Sequence, residues 1–266
     1  MTQVMYKWNA EDYHQNSSEQ KRLARQIISN LELKGNERIL DIGCGDGQIP
    51  AEIAALVPNG SLLGIDLSED MVEFAQQKFP AQDFPNLRFQ QQDASHLNFD
   101  HEFDLVVSFT CLHWIKDHVP VLSGIKRSLK PNGKAKLLLC GKHIDESIGQ
   151  KFFQRLFGLE RWAKYLRNLN NDFGLYTADE YKNMLEVVNF QPYQVKTIET
   201  EMVFDGKEEF KAFIRSSWLH FMAVIPEDLH ADFIDDLAQI FLDMNPPTDD
   251  GLVHLPMITL EVEAIK

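Results

Sequence analysis

"ILDIGCGDGQIP", residues 39–50, decides the fold of this chain. An apolar run stops at Gly43, Gly45 and Gly47, on alternate positions, with Asp41 before them and Asp46 among them. Ile49, Ile53 and Leu56 then recur at helical spacing. A short strand that passes through glycines straight into a helix is the opening turn of a βαβ unit. The glycines let the backbone run against a neighbour that a Cβ would strike, and the helix N-terminus adds donors and partial positive charge.

The pattern continues outward from that loop. "SLLGID" (61–66) reads as a second strand, followed by a helix with Ser68 as N-cap and Met71, Val72 and Ala75 on one face. "NLRFQQQD" (86–93) is a third strand closing on Asp93. "FDLVVSF" (103–109) is the most apolar strand and so the central one. A helix over "IKDHVPVLSGIKRSL", a turn at "KPNG" (130–133) and a strand at "KAKLLLC" (134–140) complete the alternation. Such alternation predicts an α/β fold with a doubly wound, mostly parallel sheet.

After Gly141 the periodicity changes. Residues 147–169 are helical and aromatic-rich, 177–188 a capped helix and 193–204 a strand. Helical blocks follow at 207–222 and 226–244, and the C-terminal "LVHLPMITLEVEAI" is a last strand. The expected organisation is an N-terminal helical cap (1–35), a Rossmann-like cofactor-binding core (36–140) and a helical lid (141–180). Residues 181–266 complete the sheet, with a helical insertion at about 206–245.

The chain has 266 residues with 40 acids against 26 Lys and Arg, a formal charge of −14. That field opposes polyanions, so no nucleic-acid partner is expected. No apolar run approaches the ~18–20 residues that span a bilayer. The opening residues lack a signal-peptide layout, so a cytoplasmic location without membrane association is expected. The cysteines Cys44, Cys111 and Cys140 have no CxxC spacing, and the histidines no ligand spacing, so neither a disulfide framework nor a metal is expected. Cys111, close in sequence to His113, leaves a reactive thiolate as a minor alternative to a small packed thiol.

The acids define the ligand. The third glycine comes one position early for a dinucleotide fingerprint, and no GK[ST] follows to make a P-loop. Asp41 and Asp46 would repel phosphate. S-adenosylmethionine, with a sulfonium, an ammonium and a neutral ribose, suits such a loop. Asp41 is then placed to face the ammonium, and Asp66, 23 residues after Gly43, to accept from the ribose hydroxyls. Asp93 is placed to accept from the adenine amino group, with Ala94 and Ser95 beside the ring. Each acid taken alone could equally be a cap or turn former; the three successive strand ends make the set.

These residues resemble the class I S-adenosylmethionine-dependent methyltransferases. "LDIGCGDG" is similar to their first motif, "GIDLSEDMV" to the second and "QQDAS" to the adenine contact. "FDLVVSFTCLHWI" is similar to the fourth-strand segment and "LKPNGK" to the turn before the fifth, a cover of about residues 36–140. "YHQNSSEQKRLA" and "LHWIKD" are also similar to the trans-aconitate and juvenile-hormone-acid methyltransferases. The resemblance implies a seven-stranded sheet, S-adenosyl-L-methionine as cofactor and a small-molecule acceptor, a carboxylic acid preferred. It implies a cofactor set of Tyr13, Ser18, Asp41, Gly43, Cys44, Gly45, Asp66, Leu67, Met71, Asp93, Ala94, Ser95 and Phe109. It implies Trp114, His113 and Gln20 on the acceptor side, with Tyr13, Ser18 and Gln20 closing over the site. A carboxylate acceptor needs no base; for an amine or phenol, His113 would be the first candidate. The alternatives are a C- or N-methyltransferase acting on another metabolite or tRNA, a nicotinamide oxidoreductase, and a non-catalytic binder of the same cofactor.

Two later stretches bear on the acceptor. Lys151, Arg155, Arg161, Lys164 and Arg167 form a basic helix that either clamps an anion or is solvated and paired to the acidic 226–250 segment. Phe204, Phe210, Phe213, Trp218 and Phe221 either build core or line an apolar pocket.

Overall fold

The computed structural model describes residues 7–142, 147–167, 169 and 173–266. Positions 1–6 of the expected cap, and 143–146, 168 and 170–172 of the expected lid, lie outside the described residues. In chain order the helices are α1 (Ala10–Asn16), α2 (Ser18–Ile28), α3 (Gln48–Leu56), α4 (Glu69–Lys78) and α5 (His118–Ser128). They continue as α6 (Ser147–Phe157), α7 (Glu160–Leu166), α8 (Ala178–Val187), α9 (Gly206–Ser217), α10 (Leu219–Met222) and α11 (His230–Met244). The strands are β1 (Arg38–Ile42), β2 (Ser61–Asp66), β3 (Leu87–Gln91), β4 (Phe103–Phe109), β5 (Leu129–Cys140), β6 (Tyr193–Phe204) and β7 (Val253–Ile265).

The seven strands form one sheet in the order β3-β2-β1-β4-β5-β7-β6. Strands β1 to β5 run parallel, and β7 lies antiparallel on β5 with Lys134 opposite Ile265 and Cys140 opposite Thr259. This is the doubly wound sheet that the alternation predicts. Its centre is β4, whose Leu105, Val106, Val107, Ser108 and Phe109 are all buried. Burying each large apolar side chain contributes about 1.5–3 kcal/mol, so the ungraded apolar run selects the middle of the sheet. From β1 the chain winds outward to β2 and β3, then returns to β4 on the other side of β1. The carboxyl ends of β1 and β4 therefore flank the switch point, where open α/β sheets bind ligands.

The chain divides into two compact units. The larger comprises Gln20–Lys142, Asp172–Glu199 and Ile258–Lys266 and holds the parallel sheet. Its core joins Leu40, Ile42, Ile65, Val106, Leu122, Leu137 and Phe190. The smaller comprises Met1–Glu19, His143–Asn171 and Thr200–Met257 and is mostly helical. Trp162, Phe210 and Phe233 are fully buried in it. Asp12 of α1 takes a bidentate bond from Arg215 of α9 at 2.6 and 3.0 Å.

Three local expectations are corrected. The helical pattern over 147–169 breaks at Gly158, separating α6 from α7. The block 207–222 breaks at Trp218, separating α9 from α10. The turn "KPNG" is absorbed into β5 as an irregularity: Leu129 pairs with Phe103, and pairing resumes with Lys134 opposite Leu105. Asn132 carries the left-handed φ of 64° that this detour needs. Among the described residues no helix is long and apolar enough to cross a membrane.

Candidate active site

The loop after β1 is braced to the end of β2. Gly43 and Cys44 both donate their backbone N–H to the Ile65 carbonyl, at 2.8 and 3.0 Å. Gly45 N–H donates to Asp66 Oδ2 at 3.0 Å and Ser68 N–H to Asp66 Oδ1 at 2.9 Å. Asp66 thus fixes the loop while each of its oxygens keeps a second lone pair. Gly43, Gly45 and Gly47 have φ of 77°, 52° and 82°, the left-handed region in which glycine is unstrained.

The neighbour that forbids side chains at two of these positions is the protein itself. A Cβ on Gly43 would lie 2.2 Å from Cys111 Sγ, just past β4. One on Gly47 would lie 2.7 Å from the Ala75 methyl and 2.9 Å from the Phe89 ring. The loop is wedged against the residue after β4, against α4 and against β3.

Asp41 is 2 % exposed, and burial, with Asp66 nearby, pushes its carboxyl up to about 8. Burial also raises Asp66, against the lowering effect of its backbone donors from Ser68, Gly45 and Leu67. Asp41 therefore holds its proton at pH 7, and a cation bound beside the pair would favour its ionisation. This donor set fits a phosphate-free, positively charged ligand and opposes a pyrophosphate. Asp46 does not belong to that set: its carboxylate meets Lys21 Nζ at 2.7 Å and accepts from Gln48 N–H at 3.2 Å. The expectation that Asp46 itself repels phosphate is corrected, because its charge is balanced inside the protein.

Asp93 sits at the N-terminus of a 3₁₀ turn, Ala94–His96, accepting from Ser95 N–H at 2.8 Å and facing His96 Nδ1 at 3.0 Å. The Ser95 N–H is therefore engaged by Asp93. Leu67 follows Asp66 directly, while Met71, Ala94, Cys44 and Phe109 are buried apolar residues of the same sheet unit.

Beyond β4, Thr110 holds a left-handed φ of 51°, a costly conformation for a β-branched residue. Its N–H donates to the Leu138 carbonyl at 2.7 Å. The 3₁₀ turn Leu112–Trp114 follows. His113 accepts from Cys140 N–H through Nδ1 at 3.5 Å and has Nε2 3.8 Å from Cys140 Sγ. Burial, reinforced by nearby His118, lowers the His113 imidazole to about 3, so the ring is neutral and a weak base at pH 7. Trp114 packs on Phe173 with ring centroids 5.0 Å apart. Beneath the turn, His118 is fully buried, with Nε2 2.8 Å from the Leu112 carbonyl.

The thiols are not activated. Burial and the carboxylates Asp66 and Asp41 raise Cys111, burial raises Cys44 well above its ordinary value, and burial pushes Cys140 up to about 12. The reactive-thiolate alternative at Cys111 has no support here.

The N-terminal residues divide. Gln20, buried in α2, belongs to the sheet unit, whereas Tyr13 and Ser18 belong to the helical unit. Tyr13 makes an edge contact with Trp8 at 5.5 Å. Ser18 is exposed; its neighbour Ser17 is fully buried, with a hydroxyl that has no partner among the described residues. Ser17 lies between α1 and α2, while Gln20, Ala24 and Ile27 share one buried face of α2.

In the helical unit Arg161 forms an ion pair with Asp232, and the Trp162 indole N–H donates to Asp236 Oδ2 at 2.8 Å. Of the five basic residues, which divide between α6 and α7, Arg161 is thus paired to the acidic segment. Phe204, Phe210, Phe213 and Phe221 are buried core. An open groove on the surface of α6 is lined by Gln150, Phe153, Gln154, Phe157 and Gly158, with Phe153 and Phe157 exposed.

Comparison with known proteins agrees with this geometry. Residues 39–133 match the family described as methyltransferase domain. The chain is 30% identical over 264 residues to trans-aconitate 2-methyltransferase of Methylobacterium nodulans, covering 95% of each. It is 28% identical over 222 residues to juvenile hormone acid O-methyltransferase of Drosophila melanogaster, covering 79% of this chain and 73% of that one. In fold it is similar to the YcgJ protein of Bacillus subtilis, with a TM-score of 0.63 at 21% identity over 92% of this chain and 98% of the other. A cofactor loop at the switch point, carboxyls suited to a cationic nucleoside and this relationship lead to one assignment: the chain belongs to the class I S-adenosylmethionine-dependent methyltransferases, in the group of the trans-aconitate and juvenile-hormone-acid enzymes.

Proposed function

We propose that this methyltransferase acts on the carboxylate of a small molecule. The observation that carries the reading is His113: the imidazole beside the β4 end is held near a pKa of 3 and both its nitrogens face Cys140. A phenol or ammonium acceptor must lose a proton, and such a ring is a poor recipient. A carboxylate is already ionised at pH 7 and asks nothing of it. The names of the two relatives above, both enzymes of carboxylic acids, support the same choice.

When bound, S-adenosylmethionine supplies a methyl group already activated by its positive sulfur. The chain's own part is binding, orientation and exclusion of water. In this reading Asp66 holds the ribose hydroxyls and Asp93 the adenine amino group, with Leu67, Met71, Ala94 and Ser95 around the base. Asp41 faces the ammonium, while Gly43, Cys44 and Gly45 offer main chain to the amino-acid part. Phe109, His113 and Trp114 wall the acceptor side, with Trp114 as wall or N–H donor to the acceptor carboxylate. Gln20 stands on the acceptor side.

Radiolabelled methyl transfer to a panel of carboxylic acids, amines and phenols tests the reading. The expected product is a methyl ester, from which mild alkali releases the label as methanol. Label that survives alkali on an amine or carbon acceptor, with no acid labelled, would overturn it.

A further inference from the structure

Lys21 and Asp46 form a charged pair inside the sheet unit, Nζ to Oδ2 2.7 Å, with side chains 8 % and 4 % exposed. Lys21 belongs to α2 and Asp46 to the loop that carries Gly43, Gly45 and Gly47. The same carboxylate accepts from Gln48 N–H, at the first residue of α3. On the far side the loop is bonded to Ile65 and Asp66 of β2. The turn therefore has two anchors, one to the neighbouring strand and one to a helix preceding β1.

Exposed ion pairs hold little, but this pair is buried, and a buried ammonium persists only where it is partnered. Asp46 meets the Lys21 ammonium from a loop in which three residues hold left-handed φ. Such a loop has many alternative conformations open to it in the absence of a tether.

We propose that Lys21 is a positioning residue: through Asp46 it holds the glycine loop in the shape that receives the methyl donor. The inference concerns cofactor binding and is independent of the acceptor's identity. Its test reads the demethylated cofactor, S-adenosylhomocysteine, by calorimetry, together with urea denaturation of the ligand-free chain.

The variants are Lys21→Met, Lys21→Arg and the double variant Lys21→Met/Asp46→Asn. The double variant leaves no uncompensated buried charge, so it keeps its fold even where Lys21→Met alone does not. The expected result is a dissociation constant raised about tenfold or more in the double variant at near wild-type urea midpoint, with Lys21→Arg restoring most of the affinity. A double variant that binds S-adenosylhomocysteine within about twofold of wild type would overturn the proposal, because the pair would then only balance charge. Failure of the wild type to bind would instead strike at the cofactor assignment, and carboxylate selectivity is not read at all.

Discussion

Asp41 shows how the fold sets the chemistry of one residue. It lies in β1, opposite Gly64 of β2 and Val107 of β4, with almost no exposure. Its carboxyl is raised from an ordinary 3.8 to about 8 by burial and then by Asp66. The folded chain therefore keeps a proton that the unfolded chain releases, so the contribution of Asp41 to stability is full below pH 4 and declines as pH rises toward 8. Each pKa unit is worth about 1.4 kcal/mol, so between pH 5 and 8 the decline is on the order of 4 kcal/mol. Asp41→Asn removes the titration. Urea midpoints of the ligand-free protein at pH 5, 6.5 and 8 should converge or cross in favour of the variant as pH rises. Parallel midpoints across that range would contradict the shift.

At the scale of elements, the turn after β4 is fixed from several directions. Thr110 is held in its strained conformation by Leu138, Cys111 fills the space a Gly43 side chain would need, and His118 bonds the Leu112 carbonyl. Gly174 N–H donates to the His113 carbonyl at 2.9 Å, and Trp114 rests on Phe173. A turn supported this way presents Trp114 on a rigid base rather than on a loose loop. Trp114→Ala should therefore reduce kcat about a hundredfold, the cost of misaligned reactants, and leave the dissociation constant for S-adenosylhomocysteine within about threefold. A selective loss of cofactor affinity, with kcat retained, would place Trp114 on the cofactor side instead.

For the whole molecule the cofactor acts as a ligand of the native state. Binding at about a hundred times the dissociation constant stabilises by about 2.7 kcal/mol. In a chain of this size that corresponds to a rise in melting temperature of roughly 5–10 °C. S-adenosylhomocysteine should produce that shift, and NAD should produce none. Stabilisation by NAD without any by S-adenosylhomocysteine would reverse the assignment.

The sequence by itself determined the parallel sheet, its central strand, the glycine loop and the acids at successive strand ends. Each of these is written in a local period, two for strands and 3.6 for helices, or in a spacing of a few residues. Only the tertiary structure decided how those residues are partnered. Gly43 is glycine because of Cys111, Asp46 is silent toward a ligand because of Lys21, and Arg161 is spent on Asp232. These choices join positions far apart along the chain, and a charge or a cavity has no local signature: its partner is selected by which strand ends and helix faces the fold brings within a few ångströms.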